Sequence, residues 1–174
     1  MNFAELMNVR QSCRSFNPNK KVEKDTLLQI IEEARLSPSA CNSQAYKIFA
    51  VQNEKAEIIS AARVMGMNKF LKDCSSYILI AEDKYNFTAK IGTELFETDF
   101  RSIDIGILTA NIVNAATDKN IQTCILGAFS EKEILKKLNI NAKLRIIIAL
   151  GYETENYPHR KKSRKDKDKV VQYI

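Results

Sequence analysis

The stretch from Phe96 to Asn114 carries the strongest helical pattern in the chain and constrains its fold most. Ile103, Ile107, Leu108, Ala110 and Val113 recur at steps of three and four. Gly106, Ala110, Ala115 and Ala116 permit close approach of a neighbouring helix. A helix apolar around most of its circumference is either central or packed on another subunit, with core burial in one subunit the default expectation.

The remaining elements fall around it. Asn2 to Val9 reads as a short amphipathic helix, with Phe3, Leu6 and Met7 on one side. Asp25 to Leu36 is a second helix, burying Leu27, Ile30, Ile31 and Ala34, and Pro38 stops it because the residue before a proline is pushed out of the α region. Glu54 to Met65 reads as a third, with Ile58, Ile59, Ala62 and Met65 as its buried stripe. Short apolar runs at Tyr46–Val51, Tyr77–Ala81, Ile121–Phe129 and Leu144–Leu150 read as strands, and Glu82–Phe87 as a loop. Ser130 with Glu133 three residues later has the form of a capping box for a short helix. This interleaving predicts an α+β fold, with no repeat, linker or domain boundary, so one domain over residues 1–174.

Charge and cysteine usage narrow the classes. The net charge of +6 favours an anionic partner, and much of it sits in the last residues of the chain. Neither a signal-peptide pattern nor a membrane-length apolar run is visible, so a cytoplasmic protein without a membrane partner is expected. Cys13, Cys41, Cys74 and Cys124 are scattered, and His159 is the only histidine; free thiols in a reducing compartment and no metal site are the simplest account.

Three polar stretches could carry function. In Val9–Phe16, an extended backbone puts Arg10, Ser12 and Arg14 on one face, able to clamp a phosphate; a solvated arm is the bland alternative. In Ser37–Gln44, Ser39, Asn42 and Gln44 offer hydroxyl and amide groups suited to a planar heteroaromatic ligand; a helix-stop loop using ordinary turn chemistry is the alternative there. The third is the basic run His159–Lys169, either a solvated charged loop or an anchor for a phosphorylated ligand, followed by Val170–Ile174, which looks like a strand in search of a partner. Nucleic-acid binding is disfavoured, because no aromatic residues interleave with the charges to stack on bases.

Other constellations are weak. The five glycines form no G-x-G-x-x-G or Walker loop, and a lone histidine argues against a hydrolytic triad. With so little acid–base machinery, an enzyme of this composition would rely on a bound cofactor, and no side chain is assigned a catalytic role.

Three segments together resemble the FMN-dependent nitroreductase family. Arg10-Gln11-Ser12-Cys13-Arg14 is similar to its N-terminal R-x-S-x-R/K clamp, and Pro38-Ser39-Ala40-Cys41-Asn42-Ser43-Gln44 to its P-S-x-x-N-x-Q flavin loop. Lys162-Ser163-Arg164 resembles its K-x-R phosphate anchor, leading through Val170-Val171 into a final strand. The helix at Asp104–Ala116 and the strand at Thr123–Phe129 resemble the family's dimer helix and flavin-edge strand, with Gly127 placing a backbone N–H near the ring. The chain departs from the pattern at Ala45-Tyr46, where relatives often have Pro-Trp, and at Ile125-Leu126, where some place an acid.

The resemblance implies a mostly antiparallel central sheet surrounded by helices, and a homodimer with two FMN sites at the interface and an exchanged C-terminal strand. Arg10, Ser12, Arg14, Lys162 and Arg164 would hold the phosphate and ribityl chain; Pro38, Ser39, Asn42 and Gln44, from the partner subunit, would address the ring. Family members use NADH or NADPH to reduce a nitroaromatic, quinone, enone or flavin acceptor. A flavin-binding protein with little turnover, for storage, sensing or flavin remodelling, is the rival expectation. With Glu82–Glu97 this short, little room is expected for the inserted helices that shape substrate pockets in larger members.

Overall fold

The computed structural model describes residues 1–174. Its centre is an antiparallel sheet of β1 (Tyr46–Gln52), β2 (Ser76–Glu82), β3 (Gln122–Leu126) and β4 (Leu144–Gly151), in the order β1-β2-β4-β3. The inner strands β2 and β4 are covered on both faces, which explains their unbroken apolar runs. Side chains alternate across the sheet. Tyr77, Leu79, Ile147 and Ala149 enter one core with Phe16, Ile59 and Ile134. Ile78, Ile80, Ile148 and Leu150 enter the other with Ile30, Leu108 and Ile112.

The helices form the outer layers. They are α1 (Phe3–Val9), α2 (Lys24–Ala34), α3 (Glu54–Ala61), α4 (Phe87–Phe96), α5 (Phe100–Asp118) and α6 (Glu131–Leu138). The α5 helix lies on the sheet through Ile105, Leu108, Ile112 and Ala116, with α2 beside it. Its buried Thr109 and Thr117 donate their hydroxyls to the carbonyls of Ile105 and Val113, which removes the cost of burying them. The opposite side of α5 stays open: Gly106 and Ala110 are exposed, and Ile103 is 52% exposed. No helix is long and apolar enough to cross a membrane.

Several boundaries differ from the expectations. α3 ends at Ala61 because Ala62 (ψ 43°) leaves helical geometry, so Met65 is 90% exposed instead of completing a buried stripe. The Glu82–Glu97 segment, expected to leave little room for inserted helices, holds one, α4, started by Asn86, whose side chain accepts the Ala89 N–H at 2.9 Å. The Ser130 capping box does not form; Glu131 instead accepts the Leu144 N–H at 2.7 Å, while Glu133 pairs with Lys137. Within this chain Val170–Ile174 belongs to no strand.

Candidate functional site

The Arg10–Phe16 segment is extended, the condition under which Arg10, Ser12 and Arg14 share a face. Ser12 bridges Thr123 in parallel, the Cys13 N–H donates to the Thr123 carbonyl at 2.8 Å, and Phe16 bridges Glu153. The segment thus adds a short rung outside β3. Gln11 and Cys13 point inward and are buried, whereas Arg10, Ser12 and Arg14 face out.

The C-terminal basic run folds back onto this outward face. Lys162 Nζ donates to the Arg10 carbonyl, and Arg160 donates from its guanidinium to the Ser12 carbonyl. The Gln11 side chain donates to the Pro158 carbonyl at 3.2 Å and accepts the Arg160 N–H at 3.2 Å, fastening the tail from beneath. Tyr157 accepts the Arg14 N–H at 2.9 Å. Partial burial and then the charges of Arg10, Arg164 and Arg160 pull the Lys162 amine below the usual lysine range. No carboxylate lies within ion-pair distance of Arg10, Arg14, Arg160, Lys162 or Arg164. Like charges held together without a counter-charge make a site for a multiply charged anion, and a phosphate fits this donor set. Arg160 and Gln11 were not among the expected site residues. Arg160 belongs to the same basic run, but its contact with Ser12 depends on how the tail folds.

The second expected group lies in the loop before β1. Pro38 follows the end of α2, and Ala40–Asn42 form a single 3-10 turn. Cys41, Asn42 and Gln44 all have left-handed backbones (φ 49°, 50° and 45°), an uncommon concentration for residues other than glycine. Such strain persists only where surrounding contacts over-determine it, and it clusters at ligand sites. Here the contacts are visible. Ser39 Oγ accepts the Gln44 N–H at 3.0 Å, and the Gln44 amide donates to Asn42 Oδ1 at 3.0 Å. Asn86 donates from Nδ2 to the Cys41 carbonyl and accepts none of the strain itself; its own N–H is held by Ser43 Oγ at 2.9 Å. From α5, Asn111 donates to Ser37 Oγ at 2.7 Å and the buried Asp104 accepts the Ala40 N–H. Asn42 and Gln44 face solvent with amide capacity to spare. Ala45 is fully buried, and the Tyr46 hydroxyl is buried without a hydrogen-bond partner. The Tyr46 phenol is pushed above its ordinary range, first by burial and then by the Asp104 charge.

The two groups are far apart within the chain. Ser12, Thr123, Leu150, Ser76 and Gln52 form one row across the sheet. Four strand spacings span about 19 Å, and the six residues from Gln52 back to Tyr46 add about 20 Å along β1. The cationic cluster and the Ser39–Gln44 loop therefore occupy diagonally opposite corners of the sheet. Gly127 lies just past the end of β3 and is exposed. The structure brings Arg10, Ser12, Arg14, Lys162 and Arg164 together, and Pro38, Ser39, Asn42 and Gln44 together, but does not join the two sets.

Comparison with known proteins gives the family and the fold. The sequence pattern of the nitroreductase family matches residues 7–85 and 61–152. A Streptococcus pyogenes protein provisionally assigned as an NAD(P)H nitroreductase is 26% identical over 186 residues, covering 89% of this chain and 92% of its own length. Among solved structures, a nitroreductase family protein from Streptococcus pneumoniae superposes with a TM-score of 0.84 at 20% identity, covering 99% of this chain and 100% of its own. An FMN-dependent nitroreductase from Clostridium difficile R20291 superposes at 0.75 with 24% identity, covering 98% of both chains.

Proposed function

The chain belongs to the nitroreductase family, and from that premise we propose that it is an FMN-dependent NAD(P)H oxidoreductase acting as a homodimer, with each FMN held by both subunits. The observation that carries this reading is the diagonal separation of the two polar groups. No single mononucleotide reaches both corners of one sheet, whereas two chains related by a two-fold axis can each lend one corner to each site. The open side of α5, with Ile103, Gly106 and Ala110, and the exposed Phe87, Ile91 and Leu95 of α4 offer apolar surface for such a partner. Val170–Ile174, unpaired within its own chain, would add a strand across the dimer.

In this reading Arg10, Ser12, Arg14, Lys162 and Arg164 hold the phosphate and ribityl chain, and Arg160 joins them. Gly127 offers its N–H at the ring edge without a side chain in the way. Ser39, Asn42 and Gln44 from the partner supply hydroxyl and amide groups to the ring, with Pro38 setting the turn. Bound FMN supplies hydride exchange between a nicotinamide and a nitroaromatic, quinone, enone or flavin acceptor. The protein's part is to bind and orient, so no side chain needs to act as acid or base. Free thiols on all four cysteines suit a cytoplasmic location.

The test is the visible spectrum of the purified protein before and after anaerobic NADH or NADPH. Yellow protein that bleaches supports the proposal. Colourless protein that takes up no added FMN overturns it, and stoichiometric FMN that neither nicotinamide reduces leaves a flavin-binding protein without this activity.

A further inference from the structure

The tail from Pro158 to Ile174 hangs on three neighbouring residues. Its hydrogen bonds to the rest of the chain end on Arg10, Gln11 and Ser12, and nowhere else. The contacts from Lys162 Nζ and from the Arg160 guanidinium reach the backbone carbonyls of Arg10 and Ser12, which any residue would supply. The others belong to one side chain. Gln11 Nε2 donates to the Pro158 carbonyl at 3.2 Å, and Gln11 Oε1 accepts the Arg160 N–H at 3.2 Å and the Arg160 Nε–H at 3.3 Å. Gln11 is only 6% exposed, so its amide reaches the tail from inside the protein, where a missing partner is unfavourable.

This fastening works against charge. The tail brings Arg160, Lys162 and Arg164 up to Arg10 and Arg14, and no carboxylate stands within ion-pair distance of any of them. Burial first, then the charges of Arg10, Arg164 and Arg160, pull the Lys162 amine below its ordinary range. Like charges gathered in this way repel until an anion arrives. A neutral amide suits the task of holding them together beforehand. It offers a donor and an acceptor to two tail residues at once, and it cancels none of the positive charge that an anion needs.

We propose that Gln11 is the positioning residue of the cationic cluster: its amide keeps the tail attached beside Arg10–Arg14 before an anion binds, and without it the attached state is no longer the majority. That the anion is the FMN phosphate rests on the function proposed above; that Gln11 fastens the tail does not. An anion meeting an assembled site binds with full affinity, and its apparent affinity falls in proportion to the fraction of molecules in which the site is assembled.

Two readouts test this. Tryptic cutting after Arg160, followed by mass spectrometry on protein without added FMN, reports how often the tail lets go. Quenching of FMN fluorescence reports the affinity of the assembled site. Gln11→Met keeps the length of the side chain and removes both hydrogen-bonding groups. It should be cut about tenfold faster than the parent and bind FMN about tenfold more weakly, the scale of a hydrogen bond involving a charged group. Gln11→Glu retains an oxygen for Arg160 and should be cut at the parental rate, which a general loosening of the fold would not allow. Parental cutting or parental FMN affinity in Gln11→Met, or equally fast cutting in Gln11→Glu, overturns the proposal. If the parent itself binds no FMN, the flavin reading falls, and the cutting rates of the two variants still decide for or against Gln11. If Gln11→Met does not fold, Gln11→Asn, whose amide stops one methylene short of the tail, is read by the same criteria.

Discussion

The Asp104 carboxylate accepts the Ala40 N–H through both oxygens, at 3.1 and 3.3 Å. It is 3% exposed on the central helix, and it holds the first residue of a turn whose next two residues are left-handed. A hydrogen bond to a charged group contributes about 1.5–3 kcal/mol. Removing it frees the loop that carries Ser39, Asn42 and Gln44. Asp104→Ala should therefore weaken FMN binding about tenfold or more, and Asp104→Asn, which keeps one acceptor oxygen, should fall between. Quenching of FMN fluorescence measures both. Parental affinity in Asp104→Ala would show that the loop keeps its shape without this anchor.

Asp104 also marks where the sequence stopped being informative. The strands, α2 and the face of Arg10, Ser12 and Arg14 were legible because period-two and period-3.6 patterns record burial directly. The stop at Pro38 was legible for a local steric reason. The anchoring of the Ser37–Gln44 loop was not, because Asp104, Asn111 and Asn86 reach it from elements distant in the chain. Helix α4 was missed although Phe87, Ile91 and Leu95 recur every four residues. Those residues are exposed in the single chain, and the poor helix formers Thr88, Gly92 and Thr93 interrupt the pattern. α3 was over-extended because its apolar spacing continues past Ala61, where the backbone turns away.

The phosphate assignment is tested by truncating its cations. Arg14 and Arg164 are exposed, so their loss should leave the fold intact. Arg14→Ala or Arg164→Ala should weaken FMN by about 1.5–3 kcal/mol. Equilibrium dialysis against FMN reads this directly. If both variants purify fully loaded and hold FMN as tightly as the parent, the phosphate does not bind there.

Lys162 gives that binding a pH dependence. Its amine is lowered by burial and by neighbouring Arg10, Arg164 and Arg160, so the ligand-free protein disfavours the charged form. For folding, this charge is unfavourable below the lowered value, and the penalty is relieved as pH rises through it. A bound phosphate has the opposite preference. FMN affinity should then fall as pH rises through the lowered lysine value, and also below about 6, where a phosphate monoester loses its second charge. Lys162→Gln should lose the alkaline limb and keep the acid one, since the remaining cations are arginines. Superimposable pH profiles for parent and variant would remove Lys162 from the site.

Gly151 tests how the Arg10–Phe16 rung is seated. A Cβ there would stand 2.9 Å from Phe16 Cδ1, and Phe16 is 1% exposed. Overpacking of this kind costs about 1–3 kcal/mol. Gly151→Ala should lower the urea midpoint accordingly and loosen the neighbouring arginines, so FMN affinity falls with it. Adding Phe16→Leu should restore part of the stability. A Gly151→Ala protein as stable as the parent would show that the Phe16 ring moves aside freely.

The four thiols should separate sharply in reactivity. Cys13, Cys74 and Cys124 are buried, and burial raises all three above the ordinary thiol value, Cys74 to about 11. Cys41 is exposed and lies between Ala40 and Asn42, in the left-handed turn. Because the thiolate is the reacting species, burial and the raised values slow the other three, whereas Cys41 is open to the reagent. Native protein should therefore consume one equivalent of a thiol reagent per chain in a fast phase that Cys41→Ser abolishes, and urea should expose the rest. If the loop closes on the flavin ring as proposed, saturating FMN should slow that phase. A Cys41 that reacts equally fast with and without FMN, in protein known to be loaded, would place the ring away from this turn.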